Sequence, residues 1–208
     1  MVRRATKKER KSYTKKRNNI ILIATEGKNK TEKNYFQGFN KLLKGCNIIF
    51  SDGNNTDPVK IVKDAINTAR NKDIESQQGD TIFAVFDTDF NKESQISEAR
   101  KLAEKNDVGL ILSNPCFEVW LLLHFRYSTR GYQSNHEVLN ELCSLWPVYQ
   151  KNLKSFQDLY GSLDTAVENA TKLKQFHNDI ENVLVEKCNP STDVHKLIKQ
   201  IIDIGSKS

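Results

Sequence analysis

Four segments of the chain read as strands, the first of them apolar without polar alternation, the pattern of a strand buried on both faces. They are Asn19-Ile20-Ile21-Leu22-Ile23-Ala24-Thr25, the short run from Cys46 to Ser51, Thr81-Ile82-Phe83-Ala84-Val85-Phe86-Asp87, and Val108-Gly109-Leu110-Ile111-Leu112-Ser113. Between them the apolar period lengthens to that of a helix. Tyr35, Phe36, Phe39, Leu42 and Leu43 follow Asn29 and Glu32, which have the spacing of a capping box. Val59, Ile61, Val62, Ala65, Ile66 and Ala69 follow Pro58, a residue suited to the first helical position, with Thr56 or Asp57 as cap. A third helix is predicted from Ser94 to Lys105. The order βαβαβαβ with short connections predicts an α/β fold: a parallel sheet with helices on both faces.

The character changes after Ser113. Asn114-Pro115-Cys116-Phe117-Glu118 leads into Val119-Trp120-Leu121-Leu122-Leu123-His124-Phe125, which reads as a buried helix with Pro115 in its first turn. From about residue 134 the spacing is helical and amphipathic: Val138, Leu139, Leu142 and Leu145, then Leu153, Phe156 and Leu159, then Leu163, Ala166, Ala170 and Leu173, and last Val194, Leu197, Ile198 and Ile201. The expected organisation is an arm over residues 1–19, an α/β core over 20–126, and a helical C-terminal subdomain over 127–208 packed on that core.

Candidate chemistry sits where two predicted strands stop. Glu26-Gly27 closes the first, and Asp87-Thr88-Asp89 closes the third. Ligands of open parallel sheets gather at the carboxyl ends of strands, where strand order reverses. Residues i and i+2 of a strand share a face, so Asp87 and Asp89 repel each other unless the chain turns or a cation lies between them. Their oxygens suit Mg²⁺ or Mn²⁺; capping of the following loop and helix is the other reading. Glu118 is a lone charge in an apolar segment, either a fourth acid or a first-turn Glu favoured by the helix dipole. Lys151 and Lys154 read more readily as a solvated helix face than as a phosphate path.

Charge and composition narrow the classes. Arg3, Arg4, Lys7, Lys8, Arg10, Lys11, Lys15, Lys16 and Arg17 stand against Glu9 alone, a balance of +8 in a chain of net +6, which leaves −2 for residues 20–208. Such an arm is a phosphate-binding appendage or a solubilising leader. No run of 18 apolar residues is present, and the basic start lacks an apolar stretch of its own. The four cysteines and four histidines are scattered without metal-ligand spacing. They predict reduced thiols and core or surface imidazoles in a cytoplasmic protein.

The strand-Glu-Gly and strand-Asp-x-Asp order resembles the Toprim domain, a metal-dependent catalytic module. More closely, residues 21–27, Thr31-Glu32-Lys33-Asn34-Tyr35-Phe36, Val85-Phe86-Asp87-Thr88-Asp89, the block from Ser113 to Phe125 and Asn189-Pro190-Ser191-Thr192-Asp193-Val194-His195-Lys196-Leu197 together resemble the RloB family. The likeness runs from about Ile20 to the end, and Ser-Asn-Pro-Cys-Phe-Glu is its most specific part. It implies a Toprim-like core with Glu26, Asp87 and Asp89 as acids and Glu118 as a further metal ligand. It also implies a setting in anti-phage defence and abortive infection, often beside an ABC/SMC-like ATPase.

The expected activity is Mg²⁺- or Mn²⁺-dependent phosphodiester cleavage of DNA or RNA, tRNA included. Asp87 and Asp89 would hold the metal, with Glu26 as general base or acid or as ligand of a second ion. Lys28 would stabilise the phosphoryl oxygens, and Arg3, Arg4, Lys7, Lys8, Lys15, Lys16 and Arg17 would contact nucleic acid. The alternative is a non-catalytic nucleic-acid- or phosphate-binding subunit; homo-oligomers fit either reading. A dehalogenase-like phosphatase fits poorly, because its Asp-x-Asp follows the first strand of the sheet.

Overall fold

The apolar runs become strands β1 (Asn19–Thr25), β2 (Cys46–Phe50), β3 (Thr81–Asp87) and β4 (Val108–Asn114) of one sheet. They are seen in a computed structural model that describes residues 17–27, 30–88, 93–154, 156–181 and 187–206. The order is β2-β1-β3-β4-β5; β1 to β4 are mutually parallel where they pair. The fifth strand, β5 (Ser191–Thr192), is antiparallel to β4, with Ser113 opposite Thr192 and Asn114 opposite Ser191. It departs from the expected all-parallel sheet. Two polar residues carry no apolar run to announce them; tertiary bonds hold them instead, between Ser113 Oγ and Thr192 Oγ1 (2.9 Å) and from Asp193 N–H to Leu112 O (2.8 Å).

The lack of alternation in the strands follows from cover on both sides. Leu22, Ala24, Ile82, Ala84, Phe86 and Leu112 point into one apolar cluster with α2 (Pro58–Asn71) and α3 (Glu93–Lys105). Ile21, Ile23, Phe83, Val85 and Ile111 point into the other. That second cluster takes side chains from α1 (Thr31–Gln37), α4 (Glu118–Leu122), α5 (Asn135–Leu145), α6 (Phe156–Leu159), α7 (Leu163–Glu181) and α8 (Val194–Gly205). Trp120 is fully buried at its centre, as the Leu-rich run predicts.

Local signals mostly hold. Asp57 caps α2 by accepting from Lys60 N–H at 3.0 Å, with Pro58 at its first position. Pro115 differs from expectation: its peptide with Asn114 is cis, and α4 starts only at Glu118. Asn29, the expected cap of α1, lies outside the described residues.

Candidate metal and phosphate site

The chain steps from β1 outward to β2 and then returns past β1 to β3, so strand order reverses between β1 and β3. Crevices at such a reversal collect ligands. Register places Thr25 beside Val85. Glu26, one residue on, therefore comes within reach of Asp87, two residues past Val85, and the Asp87 N–H donates to Glu26 Oε1 at 3.3 Å. Gly27 lets the 54–55 loop close over this edge, because a Cβ there would stand 2.2 Å from Asn54 Cα; its own N–H donates to Asn55 O at 3.1 Å.

Asp87 is buried and Glu26 half-buried. Glu118, at the start of α4, is 5 % exposed, and its Oε1 accepts from Tyr149 O–H at 2.9 Å. That tyrosine holds its proton well above the usual range, through burial first and the Glu118 charge second. Cys116 also keeps its proton, because burial and then the charges of Glu118 and Asp87 push the thiol up. A thiol that feels both carboxylates lies in the same neighbourhood as both.

A further acid was not singled out from the sequence. Glu32, second residue of α1, is 2 % exposed, and its Oε2 has no hydrogen-bond partner. Burial pushes its carboxyl up to about 8; its own backbone N–H offsets part of this, the charges of Glu118 and Glu26 raise it further, and Lys151 lowers it. The capping-box spacing misleads here. Glu32 lies on the same helix face as the buried Tyr35, Phe36 and Phe39. An acid in that apolar stripe was the available signal.

Four carboxylates thus border one sheet edge: Glu26 just after β1, Glu32 of α1, Asp87 at the end of β3 and Glu118 at the start of α4. All are oxygen donors of the kind hard divalent cations prefer, and Glu32 adds a buried oxygen that no hydrogen bond engages. Among the described residues, no three His, Cys, Asp or Glu side chains stand at metal-ligating spacing. Asp89 and Lys28, which the sequence adds to this edge, lie outside the described residues.

The basic arm residues Arg3, Arg4, Lys7, Lys8, Lys15 and Lys16 also lie outside them. Arg17 is described, and it bonds Asp80 Oδ2 (2.9 Å) and Gln78 Oε1 (2.8 Å) just before β3, at the opposite end of the strands. His124 and His195 are core residues. Burial lowers each to about 4, and they bond Tyr35 and Ser162, and the Thr192 carbonyl, respectively. Among the described residues no helix is long and apolar enough to cross a membrane.

A family model described as RloB-like protein matches residues 21–201. No curated protein and no solved structure matches the chain.

Proposed function

The chain belongs to the RloB-like family, and we propose that it is a Mg²⁺- or Mn²⁺-dependent nuclease with a Toprim-like core. The observation that carries this reading is the gathering of Glu26, Glu32, Asp87 and Glu118 at the β1/β3 switch point, with Glu32 Oε2 unpartnered. Carboxyl groups brought this close together at least partly out of water are costly to ionise unless a cation offsets the charge.

Asp87, Asp89 and Glu26 would hold the ion, with Glu118 and Glu32 completing the oxygen set. Bound there, a divalent cation supplies Lewis-acid polarisation of the phosphate and acidifies water. Glu26 is half-buried at the mouth of the edge, where a carboxylate can take a proton from attacking water. Glu32 holds its proton at neutral pH and would lose it to solvent once a neighbouring positive charge favoured the carboxylate, which couples its ionisation to cation binding. Tyr149 fixes the orientation of Glu118 through its hydroxyl.

The setting in anti-phage defence and an ABC/SMC-like ATPase partner belong to this proposal. A phosphate-binding subunit without turnover is the second reading, favoured by the lack of three described ligands at ligating spacing. Plasmid, single-stranded DNA and total RNA incubated with the purified protein separate the two. Cleavage that needs Mg²⁺ or Mn²⁺, stops with EDTA and is lost in Asp87→Asn supports the nuclease; intact substrates under every condition support the binding subunit.

A further inference from the structure

Along α1 and the turn that follows it lies a cavity of about 270 Å³ whose walls include Asn34, Gln37, Lys41, Lys154, Phe156 and Gln157. Its wall is intimate: a Cβ on Gly38 would stand 2.1 Å from the Phe156 ring, so the glycine lets that ring pack directly on the helix. The residues before Lys154 tie this wall to the acids. Asn152 takes a left-handed backbone (φ 69°), and three bonds fasten it to the start of α1: Lys30 N–H to Asn152 Oδ1 (2.9 Å), Asn152 N–H to Thr31 Oγ1 (3.2 Å), and Asn34 Nδ2–H to Asn152 O (2.7 Å). Tyr149, three residues earlier, is fastened to Glu118. Lys151 is therefore held between two anchors at the acid edge with its side chain exposed.

We propose that this cavity is a subsite for one nucleotide of a single-stranded nucleic acid, whose backbone runs from Lys41 and Lys154 past Lys151 to the acid edge. The inference rests on the nuclease reading and specifies its substrate as an unpaired strand. Two exposed lysines offer phosphate contacts, the side-chain amides of Gln37 and Gln157 offer hydrogen bonds to base edges, and the exposed Leu42 offers an apolar surface for a base face. The volume is below the roughly 300 Å³ at which drug-sized ligand pockets begin, so it suits a single base. Gln37 lies about 7.5 Å along the helix axis from Glu32, the rise of about two stacked nucleotides at roughly 3.4 Å each. A base enters such a cavity only when unpaired.

The test is fluorescence anisotropy in EDTA with the full chain and a labelled mixed-sequence strand of about 12 nucleotides, a usual site size for single-strand binders, as DNA, as RNA and as a DNA duplex. Lys41→Ala with Lys154→Ala removes the groove charge. Lys101→Ala with Lys105→Ala removes equal charge from α3, across the sheet. The groove pair is expected to bind single strands about tenfold more weakly, with the log–log salt slope smaller by about 1.4, two contacts at roughly 0.7 each. The α3 pair should bind as wild type, and duplex affinity should change equally little in both pairs.

Equal losses in the two pairs, or equal losses for duplex and single strand, overturn the subsite. Asp87→Asn, assayed in parallel, keeps the two readings apart. If it abolishes cleavage while the groove pair binds and cleaves like wild type, the subsite falls and the nuclease stands. If wild type cleaves nothing yet the groove pair selectively loses single-strand affinity, the nuclease falls and the subsite stands.

Discussion

Glu32→Gln keeps the shape of a buried side chain and deletes its ionisation. In the unfolded chain Glu32 loses its proton near pH 4.5, whereas in the folded protein it keeps it to about pH 8. Between those values the folded state binds more protons, so its stability falls as pH rises, and the loss is complete above the folded value. At about 1.4 kcal/mol per pH unit the wild type loses roughly 3 kcal/mol by pH 7 and roughly 5 above pH 8. The Gln variant escapes this loss. Its own cost, about 1–3 kcal/mol for an imperfectly paired amide, does not vary with pH and drops out of the comparison. At roughly 2–4 °C per kcal/mol for a chain of this size, Tm of Glu32→Gln minus Tm of wild type should grow by about 10 °C or more from pH 5 to pH 8.5 in EDTA. Mn²⁺ added at pH 8.5 should narrow the gap, because it stabilises the ionised wild-type site. A Tm difference constant across that range would refute the burial argument.

His124 and His195 act in the opposite sense: each titrates near 6.5 unfolded and near 4 folded, so the unfolded chain binds the extra protons and stability falls as pH drops from 6.5 to 4. Replacing His124 with Gln should flatten the acid limb of a Tm-against-pH curve. Tyr149→Phe leaves the buried Glu118 oxygen without its donor and should cost about 1–3 kcal/mol in urea unfolding; an unchanged midpoint would place that oxygen in water. Deleting residues 1–16, which spares the Arg17–Asp80 ion pair, should weaken nucleic-acid binding and reduce its salt slope. Equal affinity and slope would make the arm a leader alone.

The central strands β1 and β3 were legible because each is covered on both faces and so carries an uninterrupted apolar run, and β2 and β4 because short apolar runs follow turn signals. Glu26 and Asp87 were legible because those runs end abruptly on charge. Their meeting across 3.3 Å was not. It depends on the strand order, and periodicity along a chain does not encode which strands are neighbours. β5 was hidden by its two polar residues, which belong to the sheet only through partners some eighty positions earlier. Glu32 was visible and misassigned: local capping spacing competed with its place in the apolar stripe of α1, and the stripe decided its burial. Tyr149 and Asn152 had no local mark at all, since what distinguishes them is contact with α4 and α1.

The account turns on whether the carboxylates at the β1/β3 edge hold a divalent cation. Isothermal titration of the full chain with Mn²⁺ at pH 7.5, on wild type and Asp87→Asn of matched thermal stability, asks this directly. The account predicts saturable binding to wild type that Asp87→Asn loses. Identical heats from the two proteins, or none from wild type, would contradict it.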